Sequence, residues 1–220
     1  MRSLALVLSL SVMGVSGVAA ATSYDPLEDL VSTAKKEINA KEAIDKSKDR
    51  VLNNPRREKM EKGFWQFFQG KSGAKPGEFC TAVYWQKSQM ISVLGPGGEY
   101  RGAMLGFIAI EPKPPLPKLP FPRPDNPKEI QKVKVTLTQG TDPSATITAF
   151  NRTVVEFADE IQFAVPTIEA ALAGMEEKLN FRIEYEGSKI FELEWHSGLA
   201  ARDMLKKCLK GENVDGKEVM

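Results

Sequence analysis

The sequence predicts an α+β protein, in which a mostly antiparallel β-sheet domain with two packed helices follows a helical N-terminal segment. Residues 78–86, 90–94 and 99–110 alternate or run apolar between turn residues, as antiparallel strands do. Two later segments, after Pro166 and after Ser197, carry apolar residues at helical spacing. The predicted organisation is a signal peptide (1–21), a helical segment (22–70), a β-rich α+β domain (71–211) and a mobile tail (212–220).

The first predicted strand, residues 78–86, carries bulky side chains on both faces. Successive side chains of a strand point to opposite sides of the sheet, so a strand with bulk on both sides is expected inside the sheet. Residues 95–98 (GPGG) supply the turn chemistry for a reversal between strands. A phosphate-binding loop is the alternative, but the run lacks a full G-x-G-x-x-G and does not lead into a helix.

The N-terminus indicates export. Arg2 precedes an apolar run over residues 4–18 and three alanines at 19–21, which is typical of a cleavable secretory signal peptide. The mature chain is expected to begin near Thr22. No later stretch approaches the roughly 20 apolar residues of a membrane span, so we expect a periplasmic or secreted protein without a transmembrane anchor after cleavage.

Net charge argues against one class of binding partner, and the cysteine content predicts a disulfide bond. Removing Arg2 from 30 basic residues leaves 29 against 29 acidic residues, a balance that argues against nucleic acid, which requires a clustered basic excess. In an oxidising compartment, Cys80 and Cys208 are expected to form one disulfide bond. Two separate buried thiols are the alternative. No cofactor is predicted.

The helical segment is expected to begin at Asp25-Pro26 and to continue with an apolar stripe at Leu27, Val31, Ala34 and Ile38. A second helical stretch is predicted after Pro55, with Met60, Phe64 and Phe67 or Phe68 on one face among basic residues. Its apolar face favours docking on the sheet. Contact of residues 56–68 with a membrane surface is the alternative.

Residues 112–127 contain eight prolines in sixteen positions, a composition that favours an extended polyproline II connector between two parts of the sheet domain. The alternative is a ligand for an aromatic groove on another protein or an envelope component. The residues predicted for such partner binding are Pro114, Pro117, Pro120, Phe121, Phe64 and Phe67.

The C-terminal half predicts strands at 130–139 and 145–151, another strand near 155–165, a helix opened by Pro166, and then a hairpin. In that helix Ile168, Ala171, Leu172, Met175 and Leu179 form the apolar stripe. In the hairpin the two apolar sets share one face only if odd residues pair with odd residues, which predicts a three-residue loop at 187–189. That register places Arg182 opposite Glu194 and Glu184 opposite Glu192. Ser197 is expected to cap the final helix, with Cys208 facing inward.

One polar face carries the best candidate chemistry. The hairpin places three carboxylates and the only histidine of the sequence on this face: Glu184, Glu192, Glu194 and His196. Together these side chains could hold a divalent cation or serve acid–base catalysis. A solvated outer face of the sheet explains the same residues, and it is the favoured interpretation.

Catalytic motifs are few. Residues 32–35 match S-x-x-K, yet the later elements of that enzyme class and the body that separates them are missing. No G-x-S-x-G elbow occurs. The sequence therefore favours an exported, non-catalytic binding or interaction protein of the cell envelope, and leaves open a metal-binding protein or hydrolase that uses the Glu/His face.

Overall fold

The computed structural model describes residues 57–110, 121–122, 124, 126, 129–155 and 158–220. The helices are α1 (Arg57–Lys62), α2 (Ile168–Ala173) and α3 (Gly198–Leu209). The strands are β1 (Phe64–Gln69), β2 (Cys80–Gln86), β3 (Gln89–Leu94), β4 (Ala103–Ile110), β5 (Gln131–Gln139), β6 (Ala145–Val155), β7 (Ala158–Val165), β8 (Leu179–Tyr185), β9 (Ser188–Trp195) and β10 (Glu218–Val219).

The described strands form one antiparallel sheet in the order β10-β1-β2-β3-β4-β7-β6-β5-β8-β9. The sheet curls into a half-barrel, because Trp65 of β1 and Trp195 of β9 lie near opposite edges, yet their ring centroids are 5.2 Å apart. The Trp65 indole N–H also donates to the carbonyl of His196 at 2.6 Å. Aromatic side chains therefore close the concave face, which holds the main core. The mostly antiparallel α+β fold class is confirmed.

The strands predicted between residues 78 and 110 are confirmed as β2, β3 and β4. Strand β2 pairs with β1 on one side and β3 on the other. Its even-numbered side chains, such as Tyr84, point into the concave core, and its odd-numbered ones, such as Trp85, point to the outer face; both are buried. This explains the bulk on both sides of the strand.

The helix predicted through Phe64, Phe67 and Phe68 is wrong. Helix α1 ends at Lys62, and these three aromatic residues lie in strand β1, paired with β2. The run FWQFFQ is rich in residues that favour strands, and pairing with β2 buries side chains on both of its faces. Both faces being apolar removed the alternation that identifies a strand, so the spacing of the phenylalanines resembled a helical stripe.

The β8–β9 hairpin has the predicted parity but not the predicted loop. Its loop has two residues, Glu186 and Gly187, whose φ angles of 49° and 75° fit the twisted turn that such hairpins favour. A bulge after Ile183 then restores odd-to-odd pairing, so Arg182 lies opposite Glu192 rather than Glu194. The predicted Glu184–Glu192 pairing is therefore also wrong, and Glu184 lies opposite a lysine, Lys189.

Helices α2 and α3 both pack on the concave face, which confirms the two packed helices. The helix after Pro166 is shorter than predicted: it begins after Thr167, whose side chain accepts from the Ala170 N–H at 3.1 Å, and it stops at Gly174. Leu179, predicted to lie on that helix, begins β8. Predicted strand 155–165 is divided, with β6 ending at Val155 and β7 starting at Ala158.

The disulfide prediction is confirmed: Cys80 of β2 bonds to Cys208 of α3, with their Cα atoms 5.8 Å apart. Ser197 does not cap α3, because its hydroxyl donates to the carbonyl of Met220 instead. The C-terminal tail also differs from its prediction. A mobile tail is predicted at 212–220, whereas Glu218 and Val219 form β10, which pairs with the free edge of β1.

Several predictions fall outside the described residues. They are the signal peptide at 1–21, the N-terminal helix with its stripe at Leu27, Val31, Ala34 and Ile38, and most of the proline-rich connector, including Pro114, Pro117 and Pro120. In the described part of the chain, no helix combines the length and the apolar character needed to cross a membrane.

Candidate ligand-binding site

The concave face contains an apolar pocket beneath α2, with a volume of about 140 Å³. The sheet supplies its floor and α2 with the following turn supplies its rim. The lining residues are Val93, Leu105, Gln139, Val165, Phe181 and Trp195 from the strands, and Ala170, Ala171, Gly174 and Met175 from the helical side. An apolar cavity of about 150 Å³ is large enough for benzene or xenon, so this pocket has room for one small apolar group.

Helix α2 creates the space because it is anchored on one side only. Ile168 and Leu172 are buried in the concave core and hold the helix on the sheet. Ala170 and Ala171 face the pocket with single methyl groups, and Gly174 at the C-terminus of the helix adds no side chain. The small residues on this side leave a gap that larger side chains would fill.

Trp195 is a fixed wall of the pocket. It is 2% exposed, and its indole N–H donates to the backbone carbonyl of Glu176 at 3.1 Å. Its ring packs against Phe181, with centroids 4.7 Å apart. A buried indole that has its hydrogen bond satisfied keeps its orientation. The pocket is therefore bounded by rigid aromatic side chains on the sheet side.

A polar cleft of about 340 Å³ adjoins the apolar pocket, and Gln139 lines both. The cleft lies around the β5–β6 turn and the start of β8, and its charged residues are Asp142, Glu176, Lys178 and Glu194. A Cβ at Gly174 would lie 3.9 Å from the Gln139 side-chain nitrogen, which places that amide at the pocket rim. The arrangement suits a ligand with an apolar end and a hydrogen-bonding head.

The predicted Glu/His face does not assemble as one ligand set. Arg182 forms an ion pair with Glu184, and Lys189 forms one with Glu192. The hydrogen bond from Lys189 lowers the pKa of Glu192. Among the described residues, no group of three His, Cys, Asp or Glu side chains is arranged to hold a metal ion. These carboxylates behave as a solvated, charge-paired sheet surface.

His196 lies apart from those glutamates, at the seam between β9 and β1. Its Nε2 is 3.0 Å from the carbonyl of Lys62, and its Nδ1 is 3.1 Å from the Ser197 hydroxyl. Its ring meets Tyr84 edge-on, with centroids 5.3 Å apart. Burial raises the pKa of Tyr84 to about 12. His196 therefore joins the two ends of the half-barrel.

The predicted partner-binding aromatic residues are buried. Phe64 is 2%, Phe67 0% and Phe121 8% exposed. Phe67 and Phe121 belong to the concave core, whereas Phe64 packs on the outer face of the sheet. In the described residues these three rings contribute to packing.

Sequence reasoning missed the pocket residues, above all Gln139, Ala171 and Trp195. The pocket is assembled from six strands and a six-residue helix, so no local pattern marks it. One local signal existed. Ala170, Ala171, Ala173 and Gly174 place four small residues in and directly after the six-residue helix α2, which indicates a close approach or a gap.

Comparison with known proteins adds no relative. No family model matches the chain, and neither a curated protein nor a solved structure matches it. What the structure establishes is the class of fold: a mostly antiparallel, disulfide-linked half-barrel with few helices.

Proposed function

We propose that this chain is an exported, non-catalytic binding protein of the cell envelope that takes a small amphiphilic ligand at the pocket beneath α2. The observation that carries the proposal is the apolar pocket of about 140 Å³ that opens beside a polar cleft, with Gln139 lining both. Small-molecule sites are typically apolar hollows with a few polar groups that orient the ligand.

Export is supported by two independent features. The N-terminus has the composition of a cleavable signal peptide, and the Cys80–Cys208 bond fits an oxidising compartment. Intact mass of the natively exported protein, with and without reduction, tests this. A start near Thr22 and a two-hydrogen mass gain on reduction are expected, whereas an intact Met1 with free thiols would contradict export.

The ligand proposal is tested by titrating the chain with n-pentanol and with benzene, followed through the Trp195 indole N–H resonance. Both are expected to bind saturably, because each places an apolar group of suitable size in the pocket. Ala171→Leu fills the pocket and is expected to weaken both at least tenfold. Ala173→Leu, on the exposed side of the same helix, is the matched control and is expected to leave binding unchanged.

Gln139 distinguishes the two probes. Gln139→Met keeps the length of the side chain and removes its amide, so it is expected to weaken pentanol, whose hydroxyl can reach the rim, and not benzene. Equal effects of Ala171→Leu and Ala173→Leu, or no saturable binding of either probe, would refute the proposed site. No observation in the described residues favours the metal-binding or hydrolase alternative, which stays a prediction from the sequence.

A further inference from the structure

One histidine joins three parts of the chain at the seam of the half-barrel. His196 follows β9, Lys62 ends α1, and Met220 follows β10. His196 Nε2 lies 3.0 Å from the Lys62 carbonyl oxygen, and Nδ1 lies 3.1 Å from the Ser197 hydroxyl oxygen. That hydroxyl donates to a main-chain oxygen of Met220 at 2.9 Å. The imidazole therefore connects the end of α1 to the C-terminal strand.

The protons available at this seam determine the charge of the ring. A carbonyl oxygen only accepts hydrogen bonds, so the contact with Lys62 requires a proton on Nε2. The Ser197 hydroxyl has a single proton. This proton is directed at Met220, whose oxygen can only accept, whether it belongs to a peptide group or to a terminal carboxylate. Nδ1 must then donate to the Ser197 oxygen, so all three contacts are hydrogen bonds only when both ring nitrogens are protonated, as in the imidazolium.

A neutral ring can keep two of these three bonds. The Nε2–H tautomer keeps Lys62, and its bare Nδ1 faces the lone pairs of Ser197 Oγ unless the hydroxyl turns to donate to the ring. That turn moves no heavy atom, but it takes the proton away from Met220. The Nδ1–H tautomer would instead set the lone pairs of Nε2 and the Lys62 carbonyl against each other at 3.0 Å. Loss of the ring proton is therefore expected to release Met220.

We propose that His196 is a pH-sensitive switch: its protonated ring holds the end of β10 in place through Ser197, and its neutral ring releases that end. The strand itself is short, with two residues, and the ion pair of Glu218 with Lys59 anchors its start. The last turn of contact, at Met220, depends on the Ser197 hydroxyl. Because β10 covers the edge of β1, its release exposes unpaired backbone groups to which another strand can bind.

The surroundings leave the imidazole as the group that changes charge near neutral pH. The His196 side chain is half-buried, so protons can reach it. It meets the Tyr84 ring edge-on, and burial raises the pKa of Tyr84 to about 12, with a smaller contribution from the charge of Glu194. Carboxyl side chains ordinarily titrate near roughly pH 4 and amino or guanidinium groups above roughly pH 10, whereas imidazole titrates between about pH 5 and 8. The other charged side chains on the elements around the ring belong to those first two kinds: Arg57, Glu58, Lys59, Glu61 and Lys62 of α1, Glu176, Glu177 and Lys178 before β8, Glu194 of β9, Arg202 and Asp203 of α3, and Lys217 and Glu218 at β10.

NMR on the oxidised mature chain tests the proposal, because the sequence has one histidine and its ring signals are therefore unambiguous. Long-range proton–nitrogen correlation spectra report which ring nitrogens carry protons. We expect the imidazolium at about pH 5.5 and the Nε2–H tautomer at about pH 7.5. Over the same range the backbone order parameter of Met220 is expected to fall from about 0.85 to below about 0.6. These spectra use the parent chain, so they stand even where a variant fails to fold.

Three variants distinguish the switch from a purely structural role. Ser197→Ala removes the bridging hydroxyl and is expected to leave Met220 mobile at both pH values. His196→Gln keeps a donor for Lys62 but does not titrate, so the order parameter should be the same at both. Glu194→Gln, the matched control, removes a carboxylate from the neighbouring position and should keep the change. Equal order of Met220 at both pH values in the parent, a change that persists in His196→Gln or is lost in Glu194→Gln, or a neutral ring with its proton on Nδ1 would each overturn the proposal.

Discussion

Breaking the Cys80–Cys208 bond is expected to lower the free energy of unfolding by up to about 5 kcal/mol. The bond joins residues 128 apart in sequence, and closing so long a loop removes about 17 cal/mol/K of entropy from the unfolded chain. Domains of this size are stable by only about 5–15 kcal/mol. The change would therefore remove between a third and all of the stability.

The structure explains why the bond acts on the whole domain. Cys80 begins β2 and Cys208 lies in the last turn of α3, and both are buried in the concave core. Urea unfolding with and without reductant measures the effect, and a Cys80→Ala/Cys208→Ala variant should be insensitive to reductant. A loss below about 1 kcal/mol on reduction would refute the reasoning, because the unfolded chain would then gain little freedom.

Three further perturbations follow from buried contacts. Burial raises the pKa of Tyr84 to about 12, so as the pH rises above about 10 the unfolded chain loses the phenol proton before the folded chain does. The free energy of unfolding should therefore fall between pH 10 and 12. The fall should be about 2–3 kcal/mol larger in the parent than in Tyr84→Phe. Gly106→Ala should destabilise the fold by about 1–3 kcal/mol, because the added Cβ would lie 2.3 Å from Glu160 Oε1. In Gly174→Ala, the matched control, the added Cβ meets nothing closer than 3.7 Å. Thermal unfolding should show a lower Tm for Gly106→Ala and an unchanged Tm for Gly174→Ala. Glu160 is 2% exposed and forms an ion pair with Arg152 at 2.7 Å. Arg152→Met leaves this carboxylate buried without its cation and should lower the free energy of unfolding by about 3–5 kcal/mol. Adding Glu160→Leu should recover part of that loss, and no recovery would contradict this explanation.

Much of the sheet could be predicted from the sequence because its strands alternate or end at turn residues. Segments such as β2, β3 and β8 have that signal, and the cysteine pair followed from the oxidising compartment. Strand β1 could not be predicted, because both of its faces are buried and the FWQFFQ run therefore shows no alternation. Periodicity identifies a strand only when its two faces meet different surroundings.

The hairpin shows a second limit. The matching of apolar faces fixed the parity of pairing, but a two-residue turn with a bulge satisfies that parity as well as a three-residue loop does. Glu186 and Gly187 adopt positive φ, and glycine does so without steric cost. The pocket was beyond reach for a different reason. Its walls, from Val93 to Trp195, depend on how a ten-stranded sheet curls.

Crystals of the oxidised chain can be exposed to xenon and their diffraction measured. This tests the proposed binding site directly and does not require the natural ligand to be known. Xenon binds apolar cavities of this size. We predict one well-occupied xenon atom beneath α2, in contact with Trp195 and Ala171, and none there in Ala171→Leu. A filled or collapsed pocket, or xenon bound only elsewhere in the molecule, would contradict the proposal that this half-barrel is a binding protein with its site at α2.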